Sequence, residues 1–251
     1  MILLKILGIL ALVLLGLLIL YLLILVISSL LVNPNKEYDT NSRFYHFLLY
    51  SFTAISLKVC RIHTHVTGGE LLPTDGRFLL VSNHRSKFDP IVTWQVFRRA
   101  ELAFISKDEN LHIPIFGRII RRCCYLSIDR ENPKNAMKTI QRATRLIQTD
   151  QASIAVYPEG TRSKTLELLP FHNGVLKVAQ KAQVPIVVLT VQGTETIKTL
   201  APWHASHVYI DILEVLDTDT IAHQRTADLG THIYACMEKQ LTKKNEGGSL
   251  S

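Results

Sequence analysis

Residues 78–90 have the sequence Phe78-Leu79-Leu80-Val81-Ser82-Asn83-His84-Arg85-Ser86-Lys87-Phe88-Asp89-Pro90. The apolar run at its start predicts a buried strand. Asp89-Pro90 is typical of a helix start, with Asp at the N-cap and Pro at the first helical position. His84 would then lie at the end of a strand, with Asp89 one turn away. A carboxylate that orients an imidazole makes it a candidate general base, because it fixes the tautomer and stabilises the imidazolium.

Short apolar runs alternate with longer amphipathic segments on both sides of this stretch. The predicted strands are Phe78–Ser82, Ala103–Ser106, Tyr125–Ile128, Ser153–Tyr157, Ile186–Val191 and Val208–Ile212. The predicted helices are Ile91–Arg98, Ile115–Arg122, Pro133–Gln148, Gly174–Ala182 and Thr226–Leu241. Alternation of this kind predicts an α/β fold with a largely parallel central sheet covered by helices. Sites in such folds form at the carboxyl ends of the strands.

The spacing of His84 and Asp89 is weak evidence by itself. The chain has 10 histidines, and His223 and Asp228 share the same spacing. What separates the two pairs is context, because only the first follows a predicted strand and precedes a predicted helix start. The alternative for Asp89 is a helix cap without chemistry.

A second motif, Tyr157-Pro158-Glu159-Gly160-Thr161-Arg162-Ser163, directly follows a predicted strand. Gly160 would let the backbone approach a ligand closely. Arg162 offers a planar donor fork that suits phosphate, and Thr161 and Ser163 add hydroxyl donors. The segment therefore predicts a phosphate site, with an ordinary polar turn as the alternative.

A third segment, Ile113-Pro114-Ile115-Phe116-Gly117, leads into a basic helix and then Ile128-Asp129-Arg130. Arg118 and Arg122 share one helical face at i, i+4 spacing. That face would meet lipid headgroups or a substrate phosphate, or else only solvent. A fourth segment, Val184–Leu189, has the pattern of a buried strand and carries no chemical group, so we expect it to serve packing.

Taken in order, these four segments resemble the glycerolipid acyltransferase family, most closely the 1-acylglycerol-3-phosphate acyltransferases of bacterial type. The resemblance runs from about Phe78 to Val191 and rests mainly on His84-x4-Asp89 followed by Glu159-Gly160-Thr161-Arg162-Ser163. It implies that His84 is the base and that Asp89 orients it. It also implies that Glu159, Gly160 and Arg162 help to bind the acceptor phosphate, with Arg130 assisting. Lys107 falls near a basic position of the family, but the Asp108-Glu109-Asn110 that follows departs from the expected sequence.

The resemblance implies an acyl thioester donor, on coenzyme A or acyl carrier protein, and lysophosphatidic acid as the acceptor. His84 would remove the proton of the sn-2 hydroxyl, so no cofactor is expected. Three alternatives stay open at this point. The acceptor could be glycerol 3-phosphate or another lysophospholipid, or the donor a phospholipid. The chain could be a catalytically silent lipid-binding protein. The pairs His63/His65 or His204/His207 could bind a metal, but they lack carboxylate or thiol partners, and no metal site is expected.

The first part of the chain differs from the rest. Residues 6–32 carry no charge and are mostly Leu, Ile and Val. About 20 such residues cross a bilayer as a helix, and no cleavage site typical of a signal peptide follows them. A second uncharged stretch, Phe44–Leu57, is short for a span and suits an interfacial helix. We therefore expect a membrane anchor at 1–60, an acyltransferase domain at 61–244 and a polar tail at 245–251.

Charge and cysteine content are consistent with this assignment. The formal net charge is +7 and the pI about 9.3, which suits an anionic partner, with charge that serves only solubility as the alternative. The apolar segment favours membrane lipid over nucleic acid as that partner. The 4 cysteines form no C-x-x-C pair, so a disulfide framework is not expected and a reducing setting is favoured. We expect a membrane protein with its active domain on the cytoplasmic side.

Overall fold

The computed structural model describes residues 1–129 and 132–247. Within them lies one seven-stranded sheet. Its strands are β1 (Ile62–Thr67), β2 (Leu79–Ser82), β3 (Ala103–Ser106), β4 (Leu126–Ser127), β5 (Ile154–Val156), β6 (Ile186–Gln192) and β7 (Ser206–Leu216). The spatial order is β1-β7-β6-β2-β5-β3-β4. Every neighbouring pair is parallel except β6 and β7. The predicted α/β class with a largely parallel sheet is confirmed.

Helices cover this sheet and precede it. They are α1 (Ile2–Leu30), α2 (Arg43–Val59), α3 (Asp89–Val96), α4 (Asp108–Leu111), α5 (Phe116–Arg122), α6 (Pro133–Gln148), α7 (Lys177–Ala182), α8 (Ile197–Leu200), α9 (Thr218–Ala222) and α10 (Thr226–Gly247). All residues of β2 and β6 are buried, as expected for central strands with both faces covered. The last helix extends into the predicted polar tail, and residues 248–251 lie outside the described part of the chain.

The six predicted strands and five predicted helices are present, with some shifted boundaries. The predicted helix at 174–182 is a 3-10 turn, Asn173–Leu176, followed by α7. β1 is a strand that the pattern analysis did not predict. Its sequence, Ile-His-Thr-His-Val-Thr, is mostly polar and exposed, so it lacks a buried face. It forms because it pairs with β7 along its whole length.

The sheet directs several chain segments to one edge. β2, β3, β4, β5 and β6 run in the same direction, so their carboxyl ends lie together. The loop containing His84 leaves β2 there, and the loop containing Glu159 leaves β5, the neighbour of β2. This is the edge at which α/β folds bind ligands.

The first helix is long enough and apolar enough to cross a membrane, and it is the only such helix among residues 1–129 and 132–247. Its mean hydropathy reaches 3.3 and most of its side chains are exposed. Its last third contacts the domain, where the Tyr21 hydroxyl lies 2.8 Å from Ser51 Oγ and the Tyr45 hydroxyl donates to Ser28 O at 2.9 Å. This helix thus has a free portion and a portion docked on the domain.

The second helix has two unlike faces. One face packs into the domain through His46, Leu48, Leu49 and Thr53. Burial lowers the pKa of His46 to about 4, so this imidazole is neutral at physiological pH. The other face exposes large apolar side chains, namely Phe44, Phe47, Phe52, Ile55 and Val59. This division is the one expected of a helix that lies in a membrane interface.

Removing residues 1–20 is expected to weaken membrane attachment without unfolding the domain, because these residues contribute no buried side chain. Attachment through α2 should persist in part. Removing residues 1–32 should release the protein similarly but also lower its melting temperature, since Leu25, Ser28, Ser29 and Val32 are buried. The measurement is membrane fractionation with thermal unfolding of the purified variants. A matched control replaces residues 2–20 by an equally long Leu-Ala stretch and should stay in the membrane. Full retention of the 1–20 deletion would contradict the anchor.

Candidate functional site

The segment after β2 is held in place by Asn83. This side chain is buried and bonds the backbone of Val191 in both directions, donating to its carbonyl at 3.0 Å and accepting from its N–H at 2.7 Å. Val191 belongs to the neighbouring strand β6. The carboxyl ends of β2 and β6 are therefore fixed together immediately before His84.

His84 and Asp89 are in contact. His84 Nδ1 lies 2.7 Å from Asp89 Oδ2. The same oxygen accepts from the backbone N–H groups of Arg85 at 2.7 Å and Ser86 at 2.8 Å, and Asp89 Oδ1 accepts from the Thr194 hydroxyl. Asp89 is fully buried, so its carboxylate is stabilised by four hydrogen bonds instead of by water.

The predicted N-cap position of Asp89 is wrong. The helix begins at Asp89, and Phe88 occupies the cap without a side-chain hydrogen bond. The Asp89 carboxylate turns back to the preceding turn, where it accepts from Arg85 and Ser86. Its side chain therefore organises the His84 turn and does not cap the first turn of α3.

The imidazole of His84 keeps one nitrogen available. Nδ1 faces Asp89, whose other donors require an accepting carboxylate, so Nδ1 carries the proton and Nε2 is the basic nitrogen. The side chain is 18% exposed, which leaves it open to a ligand. One face of the ring stacks on Tyr157, with centroids 4.2 Å apart and planes 12° from parallel. A neutral imidazole held in this way can accept a proton from a ligand hydroxyl.

Glu159 connects two loops at this edge of the sheet. Its buried carboxylate accepts from the His84 N–H at 2.5 Å and from the Leu169 N–H at 2.9 Å. The Ser163 N–H in turn donates to the His84 carbonyl at 2.9 Å. Burial raises the pKa of the Glu159 carboxyl to about 7, and the two backbone hydrogen bonds oppose that rise. The His84 backbone is thus held on both sides by the loop after β5.

The other predicted residues of that loop differ in exposure. Gly160 has φ +75°, a left-handed conformation that favours glycine. Thr161 and Arg162 are exposed, and Arg162 has no partner among residues 1–129 and 132–247. Ser163 is buried with an unpaired hydroxyl. The loop therefore presents one free guanidinium beside the turn that carries His84.

Three residues of the site were not predicted from the sequence. Arg85 is 8% exposed, donates to the Leu166 carbonyl at 3.0 Å and lies 3.6 Å from Glu195. Thr194 supports Asp89 from the loop after β6, and Tyr157 supports the His84 ring. A signal for Thr194 existed, because Gly193-Thr194 directly follows a buried strand. Gly193 has φ +88°, and a Cβ there would lie 2.1 Å from the His207 carbonyl oxygen.

Among the other predicted residues that the structure describes, none contacts His84. Lys107 is exposed directly after β3, at the same edge of the sheet. Arg118 contacts the end of α1, with its guanidinium 3.5 Å from Ser29 O. Arg122 contacts the connection between α1 and α2, at 3.5 Å from Thr40 O. Arg130 lies outside the described residues. Their roles stay predictions.

Among the described residues, no group of three or more His, Cys, Asp or Glu side chains is arranged to hold a metal ion. His65 and His207, on adjacent strands, lie 3.0 Å apart through ring nitrogens. They stack with His63 and Tyr209 on the exposed face of β1 and β7. β1 and β7, which carry these rings, lie at the opposite end of the sheet from β3 and β4.

The part of the chain that contains the site is similar to known proteins. A family model described as Acyltransferase matches residues 63–192. A 1-acyl-sn-glycerol-3-phosphate acyltransferase of Haemophilus influenzae is 29% identical over 170 residues, which are 68% of this chain and 70% of that protein. The protein of the same name from Escherichia coli is 29% identical over 175 residues, with 68% and 71% covered.

A solved structure has the same fold. The crystal structure of the 1-acyl-sn-glycerophosphate acyltransferase PlsC from Thermotoga maritima superposes with a TM-score of 0.67 and 21% sequence identity. The match covers 90% of this chain and 89% of that one. At this identity the likeness concerns the fold, and it includes the segments before the sheet as well as the sheet itself.

Proposed function

The chain belongs to the acyltransferase family, whose model spans residues 63–192, and from this premise we propose that it transfers a fatty acyl group to the sn-2 hydroxyl of 1-acyl-glycerol-3-phosphate. The product is phosphatidic acid. The observation that carries the proposal is the 2.7 Å contact of His84 Nδ1 with the buried Asp89, which leaves Nε2 facing outward at the sheet edge. The names of the curated relatives support this acceptor.

His84 is the general base in the proposed mechanism. Nε2 takes the proton of the acceptor hydroxyl as the oxygen attacks the thioester carbonyl of the donor. The tetrahedral intermediate then collapses, the carbon–sulfur bond breaks, and the leaving thiolate takes the proton from the imidazolium. No covalent acyl-enzyme is needed. Binding both substrates side by side supplies much of the rate through proximity.

Asp89 supports both states of the imidazole. Before transfer it fixes the tautomer with the proton on Nδ1, and during transfer its negative charge stabilises the imidazolium. Two backbone donors and the Thr194 hydroxyl hold the carboxylate in one orientation. The ring of His84 therefore has little freedom to turn away from the substrate.

The acceptor phosphate is proposed to bind at the loop after β5. Arg162 supplies the free guanidinium, and Thr161 and Ser163 supply hydroxyl donors around it. Gly160, whose N–H donates to the Tyr157 carbonyl at 3.0 Å, shapes the turn that presents them. Glu159 acts indirectly in this proposal, since its carboxylate is buried against two backbone N–H groups and would repel a phosphate. Lys107 and Arg130 follow neighbouring strands and are proposed to assist.

The donor is proposed to be an acyl thioester, carried by coenzyme A or acyl carrier protein. Both substrates bear long apolar chains, which suits a site attached to a membrane. The free portion of α1 and the exposed apolar face of α2 are proposed to place the domain at a bilayer, on the cytoplasmic side. Acceptor and product would then exchange with the lipid phase without crossing water.

The test is a substrate panel on the purified full-length chain in neutral detergent. Acceptors are 1-acyl-glycerol-3-phosphate, glycerol 3-phosphate and 1-acyl-glycerophosphocholine. The donors, each with a labelled acyl group, are acyl-CoA, acylated acyl carrier protein and a phospholipid. We expect phosphatidic acid from the first acceptor and a thioester, and at least about a hundredfold less from a His84→Ala preparation purified identically. Transfer only to another acceptor, transfer only from the phospholipid, or lipid binding without any transfer would contradict the proposal.

Replacing Arg162 by Ala is expected to raise the KM for the acceptor tenfold or more and to leave the KM for the donor nearly unchanged. A hydrogen bond to a charged group contributes about 1.5–3 kcal/mol. Arg162 has no partner among the described residues, so its replacement breaks no contact within that part of the protein. Arg162→Lys should restore binding only in part, because it lacks the planar fork. The measurement is steady-state kinetics with each substrate varied in turn.

Arg99→Ala is the matched control, since Arg99 is exposed just beyond the end of α3 that is remote from Asp89. It should change neither KM. A rise in the donor KM on replacing Arg162, with the acceptor KM unaffected, would place the phosphate elsewhere.

A further inference from the structure

A cavity of about 560 Å³ lies between α5 and the connection that joins α1 to α2. Its lining includes Leu31, Lys36, Tyr38, Tyr45 and Arg122. None of these residues belongs to the site around His84. The rest of the lining is Glu37, Asp39 and Thr40, so the cavity is mostly polar and charged, with two aromatic rings and one leucine.

Arg122 is held in this cavity without an acidic partner. Its guanidinium carbon lies 4.5 Å from the centroid of the Tyr38 ring and 5.5 Å from that of Tyr45. No carboxylate of residues 1–129 or 132–247 is within ion-pair distance of it. Cation–π contacts fix the plane of the guanidinium, yet leave its N–H donors almost unused, the exception being the long contact to Thr40 O.

The two acidic residues that line the cavity are already paired. Glu37 and Asp39 lie 3.2 Å and 2.5 Å from the guanidinium of Arg142. Lys36 has only a ring contact, 5.4 Å above Tyr38. Two carboxylates thus share the Arg142 guanidinium, which does not itself line the cavity, and with Lys36 and Arg122 the formal charge of these five side chains is positive by one. Lys36 and Arg122 are the two cations among them that have no ion pair.

The carboxyl end of α1 would oppose an anion, because helix carbonyls concentrate negative charge there. Two of those carbonyls are already occupied. Ser28 O accepts from the Tyr45 hydroxyl at 2.9 Å, and Ser29 O faces the Arg118 guanidinium at 3.5 Å. The helix end is thus partly neutralised, and Lys36 and Arg122 offer the donors that no carboxylate of the described residues occupies.

We infer that this cavity binds the headgroup of an anionic phospholipid. The lipid phosphate accepts from Arg122 and Lys36, and an acyl chain lies along Leu30 and Leu31, which are 64% and 78% exposed. The inference rests on the membrane placement of α1 in the proposed function, because the end of a membrane helix lies at the depth of headgroups. It concerns a second lipid site, separate from the acceptor site, that would fix the domain against the bilayer.

The experiment measures thermal stabilisation of the full-length protein in neutral detergent as lipid is added. The probes are dioctanoyl phosphatidylglycerol, dioctanoyl phosphatidylcholine with the same chains, and inorganic phosphate. Of these three probes, we expect only dioctanoyl phosphatidylglycerol to raise the melting temperature at low concentration. Arg122→Gln and Lys36→Gln should each raise the midpoint concentration at least about tenfold, because each removes a charged hydrogen bond. Arg99→Gln, an exposed charge elsewhere, should not.

Each contrary outcome is distinct. Equal stabilisation by phosphatidylcholine would overturn recognition of charge, and equal stabilisation by inorganic phosphate would overturn the lipid as its source. An unchanged midpoint in both variants would overturn the site. Lys36 is exposed, so Lys36→Gln stays informative if Arg122→Gln folds poorly. Arg162→Ala, which removes the proposed contact to the acceptor phosphate, should be stabilised like the wild type, and this separates the lipid site from the proposed acceptor site.

Discussion

Replacing His84 by Ala is expected to lower acyl transfer at saturating substrates by roughly 10²- to 10⁴-fold, the contribution of a positioned general base. The structure limits the damage to chemistry. The backbone N–H and carbonyl of His84, which bind Glu159 and Ser163, remain in the variant. The side chain itself is partly exposed and stacks on one ring, so its loss creates no closed cavity. Folding, measured by circular dichroism and melting temperature, should be nearly unchanged.

His223→Ala is the matched control, because His223 and Asp228 repeat the same spacing. The structure separates the two pairs. Asp228 binds Arg225 at 2.8 Å and 3.0 Å, and His223 is exposed without contacting it. His223→Ala should therefore keep nearly full activity. A His84→Ala enzyme within tenfold of wild type would overturn the mechanism.

Asp89→Asn is expected to be almost as damaging, with a loss of roughly 10²- to 10⁴-fold, because the imidazole loses the charge that fixes its tautomer. It should also destabilise the fold. An amide presents one oxygen and one NH₂ to four donors, so at least one buried donor is left unsatisfied, at about 1–3 kcal/mol each. Kinetics and thermal unfolding of the same preparation measure the two effects.

A double-mutant cycle separates orientation of the base from general loss of stability. If Asp89 acts through His84, the double variant His84→Ala/Asp89→Asn should be no less active than His84→Ala alone. Fully additive losses would show that Asp89 contributes independently of the imidazole. Asp228→Asn, which breaks an exposed ion pair, is the control for the substitution and should leave activity intact.

The main features of the site could be predicted because they are local in sequence. A buried strand, a His and an Asp-Pro helix start lie within 13 residues. The apolar run predicts the strand, and the preference for Asp and Pro at helix starts predicts where the helix begins. The Glu159 segment repeats this pattern of strand followed by polar loop. Because β2 and β5 are parallel neighbours, the loops that follow them leave the same edge of the sheet. The family resemblance likewise places His84 and the Glu159 segment in one site.

What could not be predicted depends on contacts between distant segments. The hydrogen bond from Thr194 to Asp89 crosses 105 residues of sequence, and no spacing rule reports it. The family resemblance implied that Glu159 helps to bind the acceptor phosphate, and the sequence did not show that the fold buries its carboxylate against two backbone donors. β1 was missed because its polar sequence becomes a strand only through pairing with β7.

The sheet order also has a consequence for biosynthesis. β2 lies between β5 and β6, and both of these neighbours are encoded later in the chain. The hydrogen bond from the His84 N–H to Glu159 spans 75 residues, which a ribosome adds in roughly 4–15 s. Throughout that interval the nascent β2 has neither neighbour to pair with. The apolar strand that precedes His84 therefore needs protection from aggregation while the rest of the domain is being made.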